Sequence, residues 1–389
     1  MKSIKNQKSK IKNLLPVFFG FFIMGFVDAV GVATNYIKND FALSDTVANF
    51  LPMMVFLWFF IFSVPTGLLM NRIGRKKTVL LSMLIQIVAL IVPVIAYNYV
   101  AMLIAFALIG IGNTIIQVSL NPLLSNVVSS EKLTGSLTLG QFIKSISSFL
   151  GPIVAAYFAR SFGSWELMFP LYAGITLLSS IWLMTVPIEE IPVEGKTSTF
   201  GECLSILGNR DVLLFFLGIL TLVGIDVGLN VTAPKILQER AAMSLENASY
   251  VISLYFVFKT IGAFSGSIIL SIFSAKRFYI ISSIVAFLAL SGLIFASGQY
   301  TLYALIALSG FFCANMFSII FSFALKRLPE KSNEISGLMI MGVSGGALFP
   351  WLMGVASDAV AAQWGAVIII VLCCVYQLFL SLSVKEIKS

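Results

Sequence analysis

Apolar runs of about twenty residues recur along almost the whole chain, and no soluble fold could hide that many. Bounded by charges, prolines and glycines, they fall at 14–36, 46–70, 78–97, 99–126, 136–159, 166–187, 212–234, 248–272, 278–297, 300–324, 335–357 and 362–384. A helix of that length spans about 30 Å, the thickness of a bilayer's hydrocarbon core. Apolar residues make up 59% of the 389 and charged residues only 11%, whereas a soluble domain is about a quarter charged. Too few charges remain to clothe a water-facing surface. The sequence therefore reads as an all-α membrane protein with twelve transmembrane helices. A soluble enzyme, a nucleic-acid-binding domain and a disordered scaffold are excluded.

The one long polar interruption, 188–211, contains Glu189, Glu190, Glu194, Lys196 and Arg210. It reads as a cytoplasmic linker between two six-helix halves, 1–187 and 212–389. With the amino terminus inside, 19 Lys and Arg residues fall in cytoplasmic segments, and only Lys38, Arg160, Lys235 and Arg240 fall in external loops. That asymmetry predicts both termini in the cytoplasm of a bacterial-type inner membrane. No small-residue cleavage site follows the basic amino terminus, so the first span is read as a retained helix. Sliding the halves by 198 residues puts Asp28 on Asp226, Thr34 on Thr232 and Pro152 on Pro350, and brings Trp165 within one residue of Trp364. Paired, weakly similar halves are the architecture of many secondary transporters.

Histidine is absent, which removes His-based catalysis, His-ligated metals and His proton relays. The four cysteines, Cys203, Cys313, Cys373 and Cys374, match no metal or redox spacing and read as small buried side chains. No cofactor, no metal and no catalytic residue is expected; the coupling ion is a proton, with sodium as the alternative. Four ionisable residues lie deep in spans: Asp28, Lys144, Asp226 and Lys259. An unpaired charge there costs about 3 kcal/mol or more, so each is expected beside a partner. Of the four, one Asp and one Lys fall in each half, so these charges sum to zero within each half. They serve either as static ion pairs or, in at least one half, as a pair that binds substrate or changes protonation. Asp28 is the first candidate proton carrier and Asp226 the second. Lys144 and Lys259 offer cations for an acidic substrate.

Neutral polar solutes need convergent amides and an aromatic face. Asn113, Gln117 and Asn121 recur at i, i+4 and share one face of the fourth span. Gln141 lies three residues before Lys144, and Asn230 and Asn315 are the carboxyl-half counterparts. Trp58, Tyr255 and Trp351 are the stacking candidates. Pro65, Pro152, Pro350 and the Gly345–Gly346 pair read as kinks and close packing.

Several motifs carry a family resemblance. GLLMNRIGRKK (Gly67–Lys77) resembles the cytoplasmic signature loop of the major facilitator superfamily, with Gly67, Asn71, Arg72, Gly74, Arg75 and Lys76 at its marked positions and Asn71 where the family has an acid. SGLMIMGVSGGALFPWLMGVASD (Ser336–Asp358), CANMFSIIFSFAL (Cys313–Leu325), VGIDVGLN (Val223–Asn230), QVSLNP (Gln117–Pro122) and GQFIKSISSFLGP (Gly140–Pro152) resemble stretches of its fucose–proton symporter family of sugar permeases. The resemblance departs in places. The family's helix 1 acid aligns near Gly31 or Val32, one turn from Asp28; its helix 4 acid becomes Gln117; its helix 5 asparagine becomes Lys144. In helix 10, an asparagine and a proline become Cys313 and Ser318.

The resemblance implies the major facilitator fold, two pseudo-symmetric six-helix halves, and a monomeric permease in the lipid bilayer. It implies that helices 1 and 5, and 7 and 8, are neighbours, and hence the pairs Asp28–Lys144 and Asp226–Lys259; it also implies proton-coupled uptake of a small sugar by alternating access. Uptake of an acidic sugar or organic anion, and multidrug export, are the alternatives. No nucleic-acid partner is expected.

Overall fold

The computed structural model describes residues 14–43, 47, 50–190, 199–243 and 245–384, without the side chains of 31, 32, 35, 38, 39, 52, 152, 245–247, 249, 351 and 358. Every regular element among these residues is helical. The first helix, α1 (14–40), joins the apolar stretch Leu14–Ala29 to Val30–Asp40. Then follow α2 (Phe50–Ile73), α3 (Arg75–Ile95), α4 (Tyr99–Val127), α5 (Leu133–Phe162) and α6 (Met168–Thr185). After a short helix, Phe200–Ser205, come α7 (Arg210–Ala241), α8 (Leu245–Ile269) and α9 (Ala275–Phe295). The last three are α10 (Gln299–Arg327), α11 (332–360) and α12 (Trp364–Ser383). Eleven helices among the described residues are individually long and apolar enough to cross a membrane, and α1 contributes the shorter apolar segment. Phe60, Leu178 and Leu288 are each largely exposed, as side chains facing lipid tails would be.

The chain forms two compact units. The first holds α1 to α4, most of α5, α6 and the segment Glu330–Met341. At its centre is α4, against which α2, α3 and Ser332–Met341 pack. Every residue from Asn113 to Leu124 is buried, so three turns of α4 lie in the protein interior. The second unit holds Thr134–Leu139, α7 to α10, α11 from Gly342, and α12. There α7 is central, packed on α8, α12 and Gly345–Val360.

Three helices are interrupted. In α1, Gly25–Ala29 tightens into a 3-10 turn. Gly25 lies so near α5 that a Cβ there would fall 2.5 Å from the Lys144 carbonyl oxygen, so only glycine allows this approach. In α10 the helix breaks at Ala314–Asn315, between Gln299–Cys313 and Met316–Arg327. In α11, Gly342–Ser344 is a 3-10 turn between two α-helical segments. Such mid-helix breaks free backbone groups, which a membrane tolerates only where protein or a polar site satisfies them. Pro122 acts similarly without a break. It has no N–H for the carbonyl of Val118, which accepts the Ser336 hydroxyl instead.

The signature turn is built by contacts within the first unit. Gly74 adopts φ +87° at the start of α3, a conformation glycine reaches without strain. It has no side chain to cap α3, and Glu190 does so from beyond α6: its carboxylate accepts the backbone N–H groups of Arg75 at 2.6 Å and Lys76 at 2.8 Å. The Lys76 ammonium donates to the carbonyls of Met184 and Val186 at the end of α6. Arg75 donates to the Pro122 carbonyl and Asn126 near the end of α4, and to Asn333 and Ser332. Asn71 donates to Glu334 at 2.6 Å and accepts from Asn333 at 2.7 Å.

Candidate functional site

Helical spacing brings two acid–base pairs together, the two that the sequence predicts. In the first unit, Asp28 sits in the 3-10 turn of α1 and Lys144 one helix away on α5. Lys144 Nζ stands 3.6 Å from Asp28 Oδ2, beyond direct hydrogen-bond reach. The same oxygen accepts the Ser148 hydroxyl at 2.5 Å. Ser148 lies one turn after Lys144 and also donates to its carbonyl. The exposure is on the carboxylate side: the side chain of Asp28 is 43% exposed and that of Lys144 21%.

In the second unit, Asp226 on α7 meets Lys259 on α8. Nζ to Oδ2 is 2.6 Å, a direct charge-assisted hydrogen bond. The other carboxylate oxygen, Oδ1, accepts the Tyr255 hydroxyl. Lys259 also stands over the Tyr255 ring at 5.8 Å. The sequence offers Tyr255 as a stacking face. Its ring is 1% exposed and its work is to donate a hydrogen bond to Asp226, so it presents no open face.

The amide stripe of α4 is buried. Asn113 is 2% exposed, and neither its Oδ1 nor its Nδ2 has a hydrogen-bond partner. Asn121 donates to the Gln117 carbonyl one turn earlier, and its Oδ1 is unpartnered. Gln117 is buried between them. Two further orphans flank the stripe: Trp58 Nε1 on α2 and Gln86 Nε2 on α3. A Cβ at Gly110 would strike the Trp58 ring, and one at Gly112 would strike Gln86, so both side chains lie against α4. A buried polar group without a partner costs about 1–3 kcal/mol, and most native ones are satisfied. Unpaired donors and acceptors gathered around one helix are what a polyol or water would complete.

Elsewhere the candidates separate. Gln141 is half-buried on α5, three residues before Lys144. Asn230 Oδ1 is buried and unpartnered one turn after Asp226. Asn315 uses its amide to tie the α10 break to the Gly262 carbonyl of α8 at 2.9 Å, leaving Oδ1 unpartnered. Arg72 is exposed. The side chain of Trp351 lies outside the described residues. Cys203, Cys313, Cys373 and Cys374 are all buried and free.

Sequence reasoning missed four participants. Ser148 was visible through its i+4 spacing from Lys144, and Gln86 as an interior amide in an apolar span. Glu190 and Glu334 gave no local signal, because their partners are more than a hundred residues away in the chain.

Comparison with known proteins completes the description. The sequence profile of the Major Facilitator Superfamily matches residues 17–250 and 214–388. The chain is 25% identical over 379 residues to a glucose/galactose transporter of Brucella abortus, covering 93% of this chain and 91% of that one. Its fold is similar to that of the E. coli fucose:proton symporter, with TM-score 0.84, 17% identity, and 96% and 98% of the two chains covered. It is also similar to a proton:xylose symporter bound to 6-bromo-6-deoxy-D-glucose, with TM-score 0.77, 16% identity, and 96% and 95% coverage.

Proposed function

This chain belongs to the major facilitator superfamily, a multi-pass membrane transporter and not an enzyme, and from that premise we propose that it carries a small neutral sugar by alternating access. The observation that carries the sugar reading is the α4 stripe, where Asn113 and Asn121 hold buried amide atoms with no protein partner. Hydroxyls of a sugar supply both the donors and the acceptors these atoms lack, whereas an apolar drug supplies neither. Gln117, between them, is the third contact. The relatives support the reading, because the curated one moves glucose and galactose.

Asp28 is the coupling acid in this reading, and uptake is driven by protons across a bacterial inner membrane. A carboxylate carries protons only if its environment changes during the cycle. The wide 3.6 Å gap to Lys144 and the exposure of Asp28 suit a pair that opens and closes. Its seat in a 3-10 turn lets α1 flex there. Lys144 keeps Asp28 compensated when it is ionised and contributes donors to the substrate.

The test is uptake of labelled glucose and galactose into proteoliposomes with and without an inward proton gradient. Parent protein is expected to accumulate sugar only with the gradient. Asp28→Asn is expected to abolish accumulation and leave sugar exchange intact. Accumulation driven by sodium alone would move the coupling ion. Saturable uptake of uronic acids with none of neutral hexoses would replace the neutral-sugar reading with an anion reading centred on Lys144.

A further inference from the structure

The two Asp–Lys pairs look like copies of one device, and their geometry says otherwise. The aspartates are related by the 198-residue shift, but the lysines are not: Lys144 maps onto Gly342, and Lys259 maps back onto Ile61. Each half has thus found its own cation, on α5 in one case and α8 in the other. The surroundings differ as well. Asp28 lies in a tightened 3-10 turn, and both Ser148 and Lys144 approach it through Oδ2. Asp226 lies in α7, which runs from Arg210 to Ala241 as one α-helix. Both its oxygens are engaged, by Tyr255 and by Lys259. Asp226 is 22% exposed against 43% for Asp28, while the two lysines are covered alike. Tyr255 is itself pinned, since a Cβ at Gly310 of α10 would fall 2.7 Å from its carbonyl oxygen and 3.0 Å from its ring.

We propose that Asp226, Tyr255 and Lys259 form a fixed, charge-neutral brace that holds α7 against α8, with Tyr255 as the positioning residue for the carboxylate. The brace neither carries the coupling proton nor touches the sugar. This goes beyond the transporter reading on which it rests, because it assigns the second intramembrane acid a role apart from coupling. Protonating Asp226 would leave Lys259 as an uncompensated charge between α7 and α8, so a proton cannot be taken up there without breaking the brace. The cost of a buried charge falls on whichever member is left alone, so the pair is dispensable together but not singly.

The experiment is a set of charge variants measured by thermal unfolding in detergent and by sugar uptake against pH in proteoliposomes. Asp226→Asn and Lys259→Met are each expected to lower the midpoint and cut uptake at least tenfold. The double variant Asp226→Asn/Lys259→Met is expected to recover the midpoint, to restore uptake to within about threefold of the parent and to keep its pH profile. The exchanged pair, Asp226→Lys/Lys259→Asp, provides a second neutral arrangement. Tyr255→Phe is expected to impair the parent but to be silent in the neutral double variant, which a packing role alone would not produce. A neutral double variant that folds but loses gradient-driven accumulation, or shifts its pH profile, overturns the proposal. So does failure of both neutral arrangements to recover the midpoint. If the parent itself moves no sugar, the transporter reading fails, while the unfolding midpoints still decide the brace.

Discussion

Asn113 sets stability against function within one side chain. It is buried with both amide atoms unpartnered, and a leucine, with the same branching, would remove the orphaned groups. Asn113→Leu is therefore expected to raise the unfolding free energy by about 1–3 kcal/mol. The same change is expected to weaken sugar binding at least tenfold, read as a lost ligand-induced shift in melting temperature. A leucine that stabilises the protein and leaves sugar binding alone would reduce the stripe to helix packing. Cys203 makes a second prediction at this scale. Burial, helped by the charge of Glu334, pushes its thiol up to about 12, so little thiolate exists near neutrality. With the other three cysteines changed to serine, alkylation by N-ethylmaleimide at pH 8 is expected to be at least tenfold slower than for a free thiol. Its rate should keep climbing above pH 9. The raised pKa also means that the unfolded thiol ionises first, so stability falls as pH rises from about 9 toward 12.

At the scale of the element, the start of α3 shows how distant residues complete what local sequence leaves open. A cap from Glu190 replaces the side chain that Gly74 lacks. A Cβ at position 74 would stand 2.8 Å from that carboxylate and would force a side chain into φ +87°. Gly74→Ala is expected to destabilise by about 1–3 kcal/mol from backbone strain alone, and Glu190→Ala by about 1 kcal/mol from the lost cap, both read as melting midpoints. Asn71 is more specific. The family's acid is missing from the loop, and the acid of this contact is Glu334 on the facing segment, accepting from Asn71. Asn71→Asp sets two carboxylates against each other and removes the donor, so the midpoint is expected to fall and alkylation of Cys203, which bonds the Glu334 carbonyl, to speed up. Adding Glu334→Gln returns one donor and one acceptor and is expected to restore both readouts.

These contacts mark the limit of what the sequence disclosed. The spans were legible because hydrophobicity is local: 78–97 and 362–384 correspond to Arg75–Ile95 and Trp364–Ser383 within three residues. That the four charges need partners was legible from the cost of a bare charge in a membrane, but which Lys meets which Asp came from the family resemblance, through its helix neighbours. The break in α11 was partly legible, because Gly342 and the Gly345–Gly346 pair bracket it; those in α1 and α10 were not, since no proline or glycine pair marks them. Nor were Glu190 and Glu334, which act only once the chain has returned to the signature turn.

For the whole molecule, the sharpest consequence is the sidedness of the termini, and it turns on whether α1 crosses the membrane. Its apolar part, Leu14–Ala29, is shorter than the other spans. Helical geometry nevertheless continues through the 3-10 turn into Val30–Asp40, giving about 40 Å of rise across residues 14–40, enough for a 30 Å hydrocarbon core. Counting α1 gives twelve crossings and puts both ends on one side; leaving it out gives eleven and separates them. The distribution of Lys and Arg makes the first arrangement the expected one, because the signature turn and the 188–211 linker then share the basic side with the amino terminus. In a cysteine-free background, Ser164→Cys and Ser297→Cys lie between α5 and α6 and between α9 and α10, and are expected to react in intact cells with a membrane-impermeant maleimide. Ser129→Cys, between α4 and α5, is expected to react only after permeabilisation. A green fluorescent protein fused after Ser389 is expected to fluoresce, and alkaline phosphatase in the same place to stay inactive. Ser9→Cys, ahead of α1, is likewise expected to react only after permeabilisation; its reaction in intact cells with the rest of the pattern unchanged would mean that α1 does not cross and lies along the membrane surface.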